Sequence, residues 1–237
     1  FVETFDHITD AKQVTIVEIA NALAAFMALE WQSIDSPFDQ FLAGNPSAMN
    51  EAQLAGAELF YGRANCASCH SGRLLSDQNF YALGLPTFGP GRTRRFDPVA
   101  RDVGRMAESD VLEDAYRFRT PMLRNVALTA PYGHNGAYQD LEGIVRHHLN
   151  PGNSRAMWLP AMARLPSAHW LEEIDFVIMQ DQREMKRQQQ AMDINSIWLS
   201  DEEIALLLNF LGSLTGESIS TPLFGKPEEV PSGLPVD

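Results

Sequence analysis

The chain has 237 residues, 45% hydrophobic and 21% charged, with a formal net charge of -13. That size and balance suit one large or two small globular domains with a substantial core, and the acidity argues against nucleic acid or an anionic membrane as partner, since both require basic surface. No apolar run approaches the roughly 18 residues of a membrane-spanning helix, and the two cysteines, three positions apart, cannot build a disulfide framework.

From Val14 to Trp31 apolar residues recur at Ile16, Ile19, Ala20, Leu23, Met27 and Trp31, the period of a helix. Its stretch from Ile16 to Leu29 is broken only by Glu18 and Asn21, which predicts a buried helix. Ser36-Pro37 and Gly44-Asn45-Pro46 mark turns. A second helix, Asn50 to Phe60, delivers the chain to Cys66. From Gly72 to Arg105 glycine, proline and arginine dominate, which predicts a long loop; loops of that length in compact domains are usually functional or disordered.

Ser109 to Tyr116 reads as a short helix followed by extended Arg119-Thr120-Pro121. Leu141 to Leu149 reads as another, stopped by Asn150-Pro151-Gly152. His169 to Gln190 is expected to be helical with a solvated, glutamine-rich second half. Ser200 to Leu214 is the cleanest helix, with a Ser200/Glu203 capping box and Ile204, Leu207, Leu208 and Leu211 along one face. Thr215-Gly216 ends it, and an acidic, proline-bearing tail runs from Pro222 to Asp237. Neither strand alternation nor an internal repeat is evident.

Cys66-Ala67-Ser68-Cys69-His70 is the C-x-x-C-H pattern of c-type haem attachment. Two thiols add across the haem vinyl groups, and the adjacent imidazole reaches the iron from the same turn. A structural zinc site would need further ligands, for which His134 and His147 are the candidates. A thioredoxin-like redox pair expects a βαβ setting that the sequence lacks. Covalent haem c is the reading that accounts for the histidine as well as the thiols.

Around that motif the sequence resembles the bacterial di-haem cytochrome c peroxidase and MauG family, specifically its C-terminal haem domain. The resemblance is carried by Ala22 to Phe26, Ser36 to Asp39, Gly62 to Gly72, the run Phe118-Arg119-Thr120-Pro121-Met122-Leu123-Arg124-Asn125-Val126, the run Ala127 to Gly136, and Leu206 to Gly216. It implies a mainly α fold, a cytochrome c-like haem domain with long irregular loops and few or no strands. Residues 1–35 would close or link to an N-terminal haem domain, 36–216 would form the haem domain, and 217–237 a tail. Family members carry two C-x-x-C-H motifs and this chain carries one. We therefore expect a truncated or cleaved chain, or half of a two-chain enzyme.

The sixth iron ligand governs what such a haem does. In the family it is methionine or tyrosine, shortly after the segment matching Pro131 to Gly136; counting without gaps from His134, the position is His148. His147 is the rival by a one-residue shift, followed by Met157 and Met162. The family counterpart of His134 lies near the haems without binding iron, and a structural histidine is the alternative reading. His7 and His169 carry no motif. Arg119 and Arg124 fall in the matched run and are candidates to pair with haem propionates; Arg73, Arg92, Arg94, Arg95, Arg101 and Arg105 read individually as solvated surface. The resemblance also implies a calcium held by the Thr129 and Pro131 carbonyls with help from the N-terminal domain. Trp31, Trp158, Trp170 and Trp198 are read as core or surface residues without a redox role.

The function implied is the C-terminal, electron-transfer haem portion of a periplasmic peroxidase-type oxidoreductase using hydrogen peroxide, its signal peptide removed. The alternatives are a MauG-like enzyme oxidising tryptophan on a partner protein, or a non-catalytic electron-transfer cytochrome. Expected partners are the N-terminal haem domain or a second chain and a small cytochrome c or cupredoxin, with homodimerisation open and nucleic acid and a membrane span excluded.

Overall fold

The computed structural model describes residues 1–89, 91, 101–165, 168–230 and 233–235. The architecture is mainly α. In chain order it contains α1 (Ile16–Glu30), α2 (Pro37–Leu42), α3 (Glu51–Tyr61), the two-residue strand β1 (Phe80–Tyr81), α4 (Met106–Ser109), strand β2 (Phe118–Arg119), α5 (Leu141–Leu149), α6 (Pro151–Met157), α7 (Gln182–Gln190) and α8 (Asp201–Gly212). β1 and β2 pair antiparallel, Phe80 opposite Arg119 and Tyr81 opposite Phe118.

The core is the crossing of α3 and α8. Asn50/Gln53 and Ser200/Glu203 capping boxes start the two helices by satisfying otherwise unpaired N–H groups. Phe60 and Phe210 lie 4.9 Å apart, and Phe38 of α2 meets Phe210 edge-on at 5.3 Å. Ile204, Leu207, Phe210 and Leu211 are buried along α8. Gly56 permits the close approach, because a Cβ there would press on the Leu206 carbonyl and come within 2.8 Å of Phe210 Cβ. On the opposite side Trp158 stacks on Phe88 at 5.4 Å and donates its indole N–H to the Ala137 carbonyl.

Four expectations are corrected. α1 is helical but not buried: none of its residues is, and Ile16, Leu23 and Trp31 just beyond it are open to solvent. Apolar periodicity reports what a helix can bury, not that a partner surface exists. Terminal segments touch α1, through His7 to Glu18 (3.0 Å), Phe224 stacked on Phe26 (5.8 Å), and the Phe224 and Gly225 amides on Glu30. The helix expected over Ser109 to Tyr116 is instead α4 plus a 3-10 turn, Leu112–Asp114, because Asp110 adopts a left-handed conformation (φ 59°) between them. Within 169–190 only α7 is α-helical, preceded by a 3-10 turn, Val177–Gln180, and started by the Asp181 carboxylate. Asn150-Pro151-Gly152 ends α5 but also begins α6, since Asn150 caps it and proline suits a first helical position.

Candidate haem site

α3 leads into a tight coil. Asn65 turns left-handed (φ 55°), a 3-10 turn covers Cys66–Ser68, and the His70 amide donates to the Cys66 carbonyl at 2.9 Å. Cys66 and Cys69 are free thiols, and burial pushes Cys66 up to about 11. The coil closes when the Asp77 amide donates to the Cys69 carbonyl at 2.8 Å.

His70 is oriented by the loop it enters. Its Nδ1–H donates to the Leu75 carbonyl at 3.1 Å, with the Pro121 carbonyl alongside. Burial, then the neighbouring His148, push its pKa down to about 4, so the ring is neutral at physiological pH. In that tautomer Nε2 keeps its lone pair, the state a metal requires.

The two histidines of α5 differ sharply. His147 is fully buried and engages both nitrogens: Nδ1 accepts the Tyr138 hydroxyl at 2.8 Å and Nε2–H donates to the Leu83 carbonyl at 2.8 Å. His148 uses only Nδ1–H, donated to the Ile144 carbonyl one turn back at 2.8 Å, again leaving Nε2 as the lone-pair nitrogen. Burial pushes its pKa down too. The rings of His70 and His148 face one another with centroids 6.4 Å apart and planes at 62°. Two imidazoles sharing one metal through bonds of about 2 Å have ring centres roughly 6 Å apart. Two thiols, a lone-pair imidazole beside them and a second imidazole across such a gap fit a covalently attached haem. Met157 and Met162 are exposed, their sulfurs accepting from Asn153 and the Leu159 amide.

The remaining candidates are dispersed. Arg119 is exposed and donates to Gln78. Arg124 bridges the Asp39 carboxylate (2.7 Å) and the Arg73 carbonyl (2.9 Å). Burial raises the Asp39 pKa, but Arg124 and Ser36 outweigh it and hold the carboxyl below its ordinary value. His134 Nε2–H donates to Asp102 at 2.8 Å, and its ring stacks on Phe118 at 3.8 Å. Of the loop arginines, Arg101 pairs with buried Glu184 at 2.7 Å, Arg105 pairs with Asp114 at 2.9 Å, and Arg92, Arg94 and Arg95 lie outside the described residues. Thr129 and Pro131 sit on an exposed turn. Calcium takes six to eight oxygen ligands, so these two carbonyls would need others to complete such a site. Trp158 is buried, whereas Trp31, Trp170 and Trp198 are exposed.

Two features escaped the sequence. Arg155 of α6 donates to the Gly84 and Leu85 carbonyls and to Gln188 Oε1 at 2.6 Å, bracing the segment that holds His147. The Asn150 cap followed by Pro151 was the available signal for its helix. Tyr81 donates its hydroxyl to Asp77 Oδ2 at 2.7 Å beside the haem motif. The Asp77 bond, then the adjacent Cys69 thiol, push the phenol up to about 12. Burial works to raise the Asp77 pKa, yet the Tyr81 and Asn79 donors hold it down at about 2. Their four-residue spacing in an irregular loop gave no warning.

No family model matches the chain. It is 30% identical over 174 residues to the cytochrome-c peroxidase IdrP1 of Pseudomonas sp. (strain SCT), covering 65% of this chain and 46% of that protein. It is 30% identical over 163 residues to the methylamine utilization protein MauG of Methylophilus methylotrophus, covering 67% and 44%. The chain thus spans about half the length of these relatives. Its fold matches the crystal structure of a MauG-like protein associated with microbial copper homeostasis with a TM-score of 0.60 and 26% identity, over 88% of this chain and 60% of that one. Over the region they share, the chain is similar in sequence to cytochrome-c peroxidases and MauG and in fold to a MauG-like protein.

Proposed function

We propose that this chain is the C-terminal, electron-transfer haem portion of a di-haem peroxidase-type oxidoreductase that consumes hydrogen peroxide. The observation that carries the reading is the facing pair of imidazoles, His70 and His148, beside two free thiols. Cys66 and Cys69 would form the thioether links, with His70 as the proximal and His148 as the distal residue holding the iron. When bound, haem supplies one-electron redox chemistry. The Leu75 and Ile144 carbonyls hold Nδ1–H on each ring, which keeps each Nε2 unprotonated and aimed by a fixed bond. His147 is withheld from the metal because both its nitrogens are engaged.

With both His70 and His148 holding the iron, this portion would serve to relay electrons to a second haem portion of the full protein, where peroxide would be consumed. A small cytochrome c or cupredoxin supplies the electrons, in the periplasm. The exposed apolar residues of α1 give the second haem portion a surface to cover. The bis-imidazole arrangement also favours a second reading, an electron-transfer cytochrome without catalysis. A MauG-like oxidation of a partner protein would use the same relay.

The test is peroxide titration of the full gene product, both haems loaded, with spectral monitoring. Consumption of reduced cytochrome c and a high-valent spectrum support the enzyme. An unchanged six-coordinate spectrum favours the carrier, and a polypeptide mass without the porphyrin increment overturns both.

A further inference from the structure

We propose that Tyr81 and Asp77 form a proton-coupled redox relay beside the haem, through which an oxidising equivalent leaves the cofactor toward the protein surface. The inference rests on the reading above that Cys69 carries haem. Tyr81 reaches the haem motif through Asp77: its hydroxyl is hydrogen-bonded to Asp77 Oδ2 at 2.7 Å, the Asp77 amide donates to the Cys69 carbonyl at 2.8 Å, and the tyrosine is half-buried on β1. Asp77 is itself fixed: Oδ1 accepts the Asn79 amide at 2.9 Å, Oδ2 takes the Asn79 side-chain amide at 3.2 Å, and the Asp77 amide is tied to the Cys69 carbonyl. The proton acceptor therefore stands preorganised on the very oxygen that the phenol addresses.

The geometry answers a chemical requirement. A phenol that loses an electron becomes a strong acid, so its oxidation is feasible only where a base takes the proton at once. Even a weakly basic carboxylate serves, because the oxidised phenol is far more acidic than any carboxylic acid. In the step, Tyr81 would give one electron to the haem of this portion, left one electron short when peroxide is reduced at the second haem, and its phenolic proton to Asp77 Oδ2. One O–H bond breaks, a carboxylic O–H bond forms, the haem is reduced by one electron, and a neutral phenoxyl remains on Tyr81. A reduced donor or an oxidisable protein residue at the surface returns the electron, and Asp77 returns the proton.

The experiment is freeze-quench electron paramagnetic resonance on the haem-loaded full-length protein after peroxide, and separately after flash oxidation by a photoexcited ruthenium complex with an electron-accepting quencher. The expected result is a radical signal that narrows when ring-deuterated tyrosine is incorporated. It should be lost in Tyr81→Phe, retained in Tyr138→Phe and diminished in Asp77→Asn, with the visible spectrum of the resting haem unchanged in all three. Tyr138 is the control because its hydroxyl is also hydrogen-bonded, to His147. A signal that survives Tyr81→Phe, or haem oxidation by either route without a tyrosyl signal in the wild type, overturns the relay. Should peroxide leave the haem spectrum untouched while the flash route still yields the Tyr81 radical, the peroxidase reading falls and the relay stands.

Discussion

The imidazoles of His70 and His148 face each other at 6.4 Å, one from the coil after Cys69 and the other from α5, each with Nδ1–H tied to a backbone carbonyl. Because a backbone bond orients each side chain, ligation requires little reorganisation. Replacing His148 by alanine should convert a six-coordinate, low-spin haem spectrum to a five-coordinate, high-spin one while the haem stays covalently attached. Restoration of the low-spin spectrum by added imidazole would complete the assignment. An unchanged spectrum in His148→Ala would show that another group binds the iron.

His147 serves the fold instead. Replacing it by alanine should leave the visible spectrum six-coordinate but strand the Tyr138 hydroxyl and the Leu83 carbonyl in the interior. An unsatisfied buried polar group costs about 1–3 kcal/mol, so a loss of several kcal/mol is expected on summing the two and the cavity. Chemical denaturation read beside the visible spectrum separates the two histidines: one variant loses ligation, the other loses stability.

The same residue gives a pH dependence. Burial depresses its pKa from 6.5 to about 4 in the folded protein. The unfolded chain therefore binds the proton first, and stability rises with pH across that window. The His147 contribution is fully present above about pH 6.5 and is lost as pH falls toward 4, at about 1.4 kcal/mol per pH unit. Denaturation midpoints compared between wild type and His147→Gln from pH 4 to 7 should show a flatter slope in the variant. Parallel slopes would contradict the assignment.

The fold was largely legible where local chemistry alone decides. A capping box and apolar spacing marked α8, and the Cys66 to His70 motif announced its own chemistry. Exposure of α1 was not legible, because burial depends on surfaces elsewhere. Asn150-Pro151 was read as a stop although it is also a start, and only the three-dimensional path shows that the chain turns rather than ends there. The count from His134 favours His148 over His147, but what separates their surroundings was not legible for a related reason. A one-residue register on a helix rotates a side chain by about 100°, and their partners, Tyr138 and Leu83 for one and the His70 ring for the other, come from separate parts of the chain.

Glu184 is buried with Arg101 at 2.7 Å and Gln188 at 3.2 Å. Removing one partner of a buried ion pair typically costs 3–5 kcal/mol, roughly, because the other charge is left uncompensated. Glu184→Ala should fall in that range, whereas Arg146→Ala should change stability by about 1 kcal/mol or less despite two ion pairs, since Arg146 and its carboxylate partners are solvated. Urea denaturation at neutral pH ranks the two, and equal losses would refute the burial-based ordering.

Gly56 links the core to the haem motif. A methyl group at this position of α3 would press against the Leu206 carbonyl and come within 2.8 Å of Phe210 Cβ, and neither backbone nor Cβ can rotate away. α3 must then move off α8. Overpacking a well-filled core costs about 1–3 kcal/mol, which outweighs the gain of up to about 1 kcal/mol that alanine otherwise brings to a helix interior. Since α3 runs directly into the Cys66 coil, the displacement also reaches the His70 ring. Gly56→Ala should therefore lower the melting temperature and perturb the near-ultraviolet and Soret circular dichroism together. A variant that melts normally with an unaltered Soret signal would mean that the helices separate without disturbing the site.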